Sequence, residues 1–218
     1  MAPIIFYHNA LSGPSRFVLL VFRSLRLDVE IRNIDLRSQQ QLTPEFIKIN
    51  PQHTVPTIDD NGFILWESNA IAQYLVETYA PESPLYPKDT KARALVNQRL
   101  QFYMGTLLQR IRAIIIGVIK EGEKNISDLK RSHLYEALGY TNGFLSESDW
   151  IAGNHVTLAD LAIYVTVSTI VSFGADISEY KFLGAWLERC KTLPGFEENS
   201  EGVKTFTAVF KSFYDGKV

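Results

Sequence analysis

Residues 50–71 read NPQHTVPTIDDNGFILWESNAI, and this stretch determines how the N-terminal part of the chain folds. A Val-Pro step precedes a short β-branched run, and an Asp-Asn-Gly turn joins that run to a second apolar run, as in a tight hairpin. The Val55–Pro56 bond is a candidate cis peptide, since X-Pro bonds adopt that form far more readily than others. Glu67 and Ser68 then open a helical pattern, where free N–H groups can bind a carboxylate. The segment therefore predicts a site for the backbone and an acid group of a peptide-like ligand.

The rest of the first 80 residues alternates between strand and helix signals. Strands are predicted over 4–7 and 29–34, and a helix over 14–25. A short helix begins after Thr43, which serves as N-cap and is followed by a proline at the first helical position. Together with the hairpin and the helix from residue 67, the order is β-α-β-α-β-β-α. This order is typical of a thioredoxin-like α/β domain, a small mixed sheet flanked by helices.

The composition changes after residue 80. Three prolines over 81–88 predict a linker, and no convincing strand pattern follows it. We therefore predict a thioredoxin-like α/β domain over 1–80 and an all-α domain over 89–218, which is of ordinary domain size. A capping box, Thr157-Leu158-Ala159-Asp160, opens the most apolar helix, which we expect at the centre of that domain. Helical periodicity predicts helices over 89–120, 127–145, 157–171, 181–193 and 196–213.

Composition limits the partners and the compartment. The chain has 218 residues and a net charge of −2, which argues against nucleic acid or a membrane surface as the main partner. Cys190 is the only cysteine, which excludes an internal disulfide framework and a cysteine-rich metal site and fits a reducing compartment. The first residues do not form a signal peptide, and no apolar run reaches the length of a membrane span. We expect a cytoplasmic protein without a bound metal.

Five segments of the chain follow one another in an order and spacing that characterise one enzyme family. They read NPQHTVPT (50–57), WESNAI (66–71), SPLYPKD (83–89), ALVNQRL (94–100) and TLAD (157–160). Through them the chain resembles the cytosolic glutathione transferases, most closely the arthropod delta and epsilon classes, over essentially its whole length. The resemblance implies glutathione as co-substrate without a prosthetic group, small hydrophobic electrophiles as second substrates, and a homodimer.

The junction of the first strand and first helix reads Ser12-Gly13-Pro14-Ser15. Many thioredoxin-like proteins carry a reactive Cys-x-x-Cys there, and without a thiol this site cannot perform disulfide exchange. A hydroxyl at a helix N-terminus can still donate a hydrogen bond to a thiolate, and the helix dipole adds to the stabilisation of negative charge. By resemblance Ser12 is the catalytic serine that activates the sulfur of glutathione; alternatively, it only caps the helix. Ser15 is expected to bond locally, and Tyr7 to be a strand residue near the site.

The resemblance also implies how glutathione is held. Glu67 and Ser68 bind the γ-glutamyl end, Val55 pairs its backbone with the cysteinyl part just before Pro56, and His53 faces the glycyl carboxylate. Three positions depart from the family pattern: Gln41 stands near a usual histidine, Asn69 replaces a usual His or Arg, and Tyr103 replaces a frequent acidic residue. The full predicted glutathione-binding set is Gln41, His53, Val55, Pro56, Glu67, Ser68 and Asn69.

The resemblance implies a hydrophobic subsite carried by the helical domain. Apolar residues recur at helical spacing along 104–119, a pattern that is also typical of a helix core. Arg112 beside this stripe can assist a polar group of a substrate or form a surface ion pair. By resemblance the subsite comprises Leu11, Leu36, Leu108, Ile111, Arg112, Ile115, Ile116, Ile119, Phe206 and Phe210.

The sequence therefore predicts a glutathione transferase in which a serine-stabilised thiolate attacks hydrophobic electrophiles, and the same thiolate can reduce organic hydroperoxides. Three alternatives remain open. One is a glutathione-dependent isomerase or steroid-handling member of the family. The second is a carrier of hydrophobic ligands with little catalysis, and the third is a structural protein.

Overall fold

The computed structural model describes residues 3–218 and contains a four-stranded mixed sheet in its N-terminal part. The strand order is β2-β1-β3-β4, with β1 and β2 parallel and the other neighbours antiparallel. This is the predicted α/β thioredoxin-like layout, which is thereby confirmed. The strands are β1 (Ile4–His8), β2 (Val29–Asn33), β3 (Thr57–Asp60) and β4 (Phe63–Trp66), and the helices are α1 (Gly13–Leu25), α2 (Pro44–Ile49) and α3 (Ser68–Tyr79).

The rest of the described chain is helical, as predicted. The predicted long helix over 89–120 is continuous, but one π-helical turn, Tyr103–Leu107, divides it into α4 and α5. Single π-helical turns inside α-helices occur frequently at functional sites, because they rotate the side chains that follow. The helices are α4 (Thr90–Phe102), α5 (Leu108–Ile119), α6 (Asp128–Leu145), α7 (Leu158–Ser172), α8 (Lys181–Cys190) and α9 (Phe196–Lys211).

Helix α7 begins at the predicted capping box and lies at the centre of the helical part. The Asp160 carboxylate accepts a hydrogen bond from the Thr157 backbone N–H at 2.8 Å. Its other oxygen accepts from the Ile151 N–H at 2.8 Å and from the Trp186 indole N–H at 3.1 Å. Burial raises the pKa of Asp160, and these donors oppose that rise. The capping carboxylate therefore also fixes the start of α7 against α8.

One hydrophobic core runs through both parts of the molecule. Buried side chains of α1, such as Phe17 and Val21, belong to the same cluster as Leu161 and Val165 of α7. Helix α1 also packs against α9. Because the N-terminus of α1 adjoins the helical part directly, any cleft at that end of α1 is lined by both parts.

One helical segment of residues 3–218, Thr90–Ile119, is long and apolar enough to cross a membrane by length and composition alone. The segment contains Arg93, Arg99, Arg110 and Arg112, so it is not an uninterrupted apolar run of the kind that the sequence analysis excluded. Core helices of globular proteins satisfy the same criterion, and here Leu100, Leu107 and Ile111 are buried in the shared core. About a third of the most apolar stretch is buried, so packing in the core accounts for part of its apolar character.

Gly202 allows α9 to approach α1 closely. A Cβ atom at this position would lie 2.5 Å from Arg16 Cδ and 3.0 Å from the Ala10 carbonyl oxygen. We therefore expect Gly202→Ala to lower the free energy of unfolding by about 1–3 kcal/mol through overpacking. Gly184→Ala in α8 is the matched control: its Cβ would meet nothing within 4 Å, so better helix propensity should raise stability by up to about 1 kcal/mol. Urea denaturation of both variants measures the two effects. If the free energy of unfolding changes in the same direction in both, the close contact at Gly202 is contradicted.

Candidate active site

A cavity of about 410 Å³ lies between the sheet domain and the helical part. Its wall on the sheet side comes from the start of α1 and from the loops at 36–41 and 53–55, and its other wall comes from α5, α7 and α9. The N-terminus of α1 faces this cavity through Ser12, Gly13 and Pro14. A helix N-terminus carries partial positive charge and unpaired N–H groups, which favour a negatively charged ligand atom.

Ser12 is the N-cap of α1 and lines the cavity. Its hydroxyl oxygen accepts from the Ser15 backbone N–H at 3.3 Å, and its proton points to the Val55 carbonyl oxygen at the long distance of 3.4 Å. Capping uses a lone pair of the hydroxyl oxygen, so the hydroxyl can still donate its hydrogen bond to a closer, charged acceptor instead of Val55. The two interpretations of Ser12, helix cap and donor to a thiolate, are therefore compatible. Ser15 itself is buried with its hydroxyl unpaired among the described residues.

The Val55–Pro56 peptide bond is cis, as the sequence indicated. Val55 lines the cavity beside Ser12, whereas Pro56 is buried just before β3. His53 and Gln41 line the same wall, and His53 has a positive φ of 47°, which is unusual for a residue other than glycine. The Gln41 side-chain oxygen is buried and has no hydrogen-bond partner in residues 3–218. These two side chains offer hydrogen bonds to a ligand on this wall.

Glu67, Ser68 and Asn69 lie where β4 meets α3 and do not line the cavity directly. Glu67 is exposed and adopts φ 70°, ψ 110°, a strained conformation of the kind that clusters at ligand sites. Ser68 is the buried first residue of α3. The Asn69 side-chain N–H donates to the Leu100 carbonyl at 3.3 Å, so this side chain faces α4 and not the cavity.

The cavity is lined by most of the residues predicted for the hydrophobic subsite. Ile116, Ile119 and Phe210 do not line the cavity. Ile119 shares the helical face of Ile111 and Ile115 but packs against the core. Ile116 is turned by about 100° from Ile115 around α5. The Phe210 ring stacks on Phe173 at 4.0 Å between centroids, inside the core. Arg112 lines the cavity, is exposed, and forms no ion pair among the described residues. The predicted residues that line the cavity are Leu11, Leu36, Leu108, Ile111, Arg112, Ile115 and Phe206.

The structure adds polar residues that the sequence analysis did not single out. Thr166 and Thr169 of α7 and Lys120 at the end of α5 line the cavity, as does Arg16 of α1. Ser168 and Ser172 also interrupt the apolar residues of α7, so the threonines alone give no specific sequence signal for the cavity. Arg16 stands four residues after Ser12, which places both side chains on one face of α1.

Arg16 is a buried cation held by neutral acceptors. Its guanidinium donates to the Asn199 side-chain oxygen at 2.9 Å, the Ala10 carbonyl at 2.7 Å and the Thr169 hydroxyl at 2.7 Å. Burial lowers the pKa of Arg16 to about 10, so the side chain stays charged at neutral pH. This network ties the loop before Ser12 to α7 and α9 and places positive charge beneath the cavity.

Tyr103 connects the π-helical turn to the start of α3. Its fully buried hydroxyl lies beside the hydroxyls of Ser68 and Thr166 but makes no hydrogen bond of good geometry among the described residues. Burial raises the pKa of Tyr103, so the phenol is neutral at physiological pH. A neutral phenol thus stands where the family pattern often has an acidic residue, and it can hydrogen bond Ser68 without adding charge.

The fold and the cavity together define a class: a thioredoxin-like domain joined to a helical domain, with a hydroxyl and a helix N-terminus facing a cleft. Residues 2–77 match the glutathione S-transferase N-terminal domain, and residues 111–198 match the glutathione S-transferase C-terminal domain. The chain belongs to the glutathione S-transferase family, and its function is that of a glutathione S-transferase. The resemblance inferred from the sequence is confirmed.

The relatives place the chain among the arthropod delta and epsilon classes. Glutathione S-transferase D7 of Anopheles gambiae is 40% identical over 216 residues, covering 97% of this chain and 98% of the relative. The structure of a Nilaparvata lugens delta-class glutathione transferase is 46% identical, with a TM-score of 0.93 and coverage of 97% and 100%. A Drosophila mojavensis glutathione transferase homologue with bound glutathione is 33% identical, with a TM-score of 0.94 and coverage of 98% and 99%.

Proposed function

We propose that Ser12 activates glutathione by donating a hydrogen bond from its hydroxyl to the thiolate. The observation that carries the proposal is the position of this hydroxyl, at the cavity wall and at the N-terminus of α1, with only a long hydrogen bond to Val55 to give up. An unperturbed thiol is mostly protonated at neutral pH. One charge-assisted hydrogen bond and a helix terminus together supply about 2.7 kcal/mol, which corresponds to about two pKa units.

The rest of glutathione is proposed to extend from Ser12 along the sheet-side wall. Val55 pairs its backbone with the cysteinyl residue, and His53 and Gln41 meet the glycyl carboxylate. The γ-glutamyl end reaches Ser68 and the strained Glu67, where the start of α3 supplies N–H groups for a carboxylate. The orientation of Asn69 toward α4 gives it a supporting role behind this end of the ligand.

The second substrate is proposed to be a small hydrophobic electrophile in the cavity beside Ser12. Leu108, Ile111 and Ile115 give this wall an aliphatic surface, and Phe206 is its aromatic member. The thiolate adds to an electrophilic carbon or displaces a leaving group, and attack on the peroxide oxygen of an organic hydroperoxide gives a peroxidase reaction by the same nucleophile. A carrier without catalysis or an isomerase would use the same cavity. A lowered pKa of the bound thiol distinguishes a conjugating enzyme from a carrier.

We further infer a cytoplasmic homodimer. The only thiol of the chain, Cys190, is buried and suits a reducing compartment. Half-exposed Tyr140 continues an aromatic group with Phe102 and Phe144 on the surface of the helical part. A contiguous aromatic surface of this kind supports an interface with a second copy.

The proposal is tested by the ultraviolet absorbance of the thiolate of enzyme-bound glutathione, measured against pH. We expect the bound thiol to titrate with a pKa near 6.5, about two units below the value of a free thiol. S-methylglutathione, which has no ionisable thiol, is the matched control for changes in protein absorbance. Conjugation of 1-chloro-2,4-dinitrobenzene should follow the same titration. Binding of glutathione without a lowered thiol pKa would contradict the proposal and favour a carrier.

A further inference from the structure

The charges on the cavity wall all have one sign. Arg16, Arg112 and Lys120 line it, and no Asp or Glu of residues 3–218 does so. The Arg16 guanidinium already donates hydrogen bonds to three neutral acceptors. Arg112 and Lys120, in contrast, have no ion pair and no side-chain hydrogen bond in the described part of the chain, and both are exposed. Two cations therefore stand at this cavity without a protein partner.

The positions of these cations relative to the aliphatic wall restrict what they can bind. Along α5 the lining residues run from Leu108 through Ile111 and Ile115 to Lys120, a length of about 18 Å at 1.5 Å per residue. Arg112 lies between the aliphatic residues Ile111 and Ile115. Lys120 lies about 12 Å further along the helix, beyond Ile115, and both cations are exposed. A ligand that fits this pattern has a flexible apolar body and a negatively charged end.

We infer that the preferred second substrate is an aliphatic electrophile that carries a carboxylate, held by Arg112 and Lys120. This inference rests on the proposed function, since the electrophile must be attacked by a thiolate in the same cavity. For an α,β-unsaturated aldehyde, the sulfur forms a bond to the β-carbon and the alkene electrons move to the aldehyde oxygen. The α-carbon then takes a proton from water, and no leaving group or oxidant is needed.

A matched pair of electrophiles isolates the charge. The acid 12-oxo-10-dodecenoic acid and its methyl ester have the same enal group and the same chain, so their chemical reactivity toward a thiol is alike. We expect kcat/KM for glutathione conjugation, divided by the uncatalysed rate constant, to be about tenfold higher for the acid at low ionic strength. Addition of 0.5 M NaCl should bring this ratio toward one, because salt screens exposed charges.

The two cations are tested by charge-removing variants. Arg112→Gln and Lys120→Gln should each lower the acid-to-ester ratio by about threefold, and the double variant should bring it to about one. Lys124→Gln is the matched control, since Lys124 is exposed near the end of α5 but does not line the cavity. It removes the same charge and should leave the ratio unchanged.

The outcomes separate the inference from the proposed function. Turnover of the ester with no preference for the acid overturns the anionic substrate, while the transferase stands. A preference that persists in the double variant overturns the role of the two cations. If the variants raise KM for glutathione and leave the ratio unchanged, the cations bind glutathione and the inference fails. If neither the acid nor the ester is turned over although the bound thiol has its lowered pKa, the proposed function itself is contradicted.

Discussion

Replacing Ser12 by alanine should raise the pKa of the enzyme-bound glutathione thiol by about 1.5 units, from near 6.5 to near 8, because the charge-assisted hydrogen bond is lost while the helix N-terminus remains. At pH 6.5 the thiolate fraction then falls about 16-fold. A more basic thiolate is intrinsically more nucleophilic, and for a Brønsted slope of about 0.4–0.5 this returns roughly fivefold. The net loss in kcat/KM should therefore be about threefold at pH 6.5 and should disappear at about pH 7.4, above which the variant becomes the faster enzyme. Thiolate absorbance and rate–pH profiles measure both quantities.

Two further variants separate this effect from the loss of a helix cap. Ser12→Ala also removes the acceptor for the Ser15 N–H, which should cost about 1 kcal/mol of stability. Ser12→Thr keeps both the cap and the donor and should retain a low thiol pKa, whereas Ser15→Ala should not affect the thiol. A loss of activity in Ser12→Ala that is equal at all pH values, with an unchanged bound-thiol pKa, would show that Ser12 only shapes the loop.

The parts of the site that the sequence predicted are those in which local chemistry fixes the backbone. The hairpin, the Val55–Pro56 step and the N-cap serine are adjacent residues whose preferred dihedral angles and hydrogen bonds act within one or two turns. The capping carboxylate of Asp160 is a further case, because its Thr157 partner lies three residues away. Such features can be read from one segment without knowledge of what packs against it.

The lining of the cavity was predicted less completely, because periodicity identifies a helix face but not the position of a cavity along it. Phe206 and Phe210 are four residues apart and share one face of α9, yet only Phe206 reaches the cavity and Phe210 stacks on Phe173. Conversely, Lys120 and Thr166 line the cavity although the sequence analysis did not single them out. Their elements meet only in the folded chain, so no local pattern marks them as neighbours of Ser12.

Arg16 should be far more important for stability than another arginine on the same helix. Arg16→Ala removes three charge-assisted hydrogen bonds and leaves the Asn199 and Ala10 oxygens without this donor. The variant no longer buries a charged group, and the desolvation cost that it avoids offsets part of this loss. We expect the free energy of unfolding to fall by about 3 kcal/mol, which lowers Tm by roughly 6–12 °C in a chain of this size. Calorimetry and urea denaturation measure the change.

Arg23→Ala is the matched control, because Arg23 lies two turns further along α1 and also contacts α9. Its guanidinium pairs with the Glu198 carboxylate at 2.7 Å, but both side chains are about one-third exposed or more. Water and salt already screen such a pair, so its removal should cost less than about 1 kcal/mol. The Arg23–Glu198 ion pair should thus contribute less to the free energy of unfolding than Arg16 does, although the acceptors of Arg16 are neutral. The reason is that buried acceptors cannot bond to water when their donor is lost. Equal losses in the two variants would contradict this account of how α9 is held against α1.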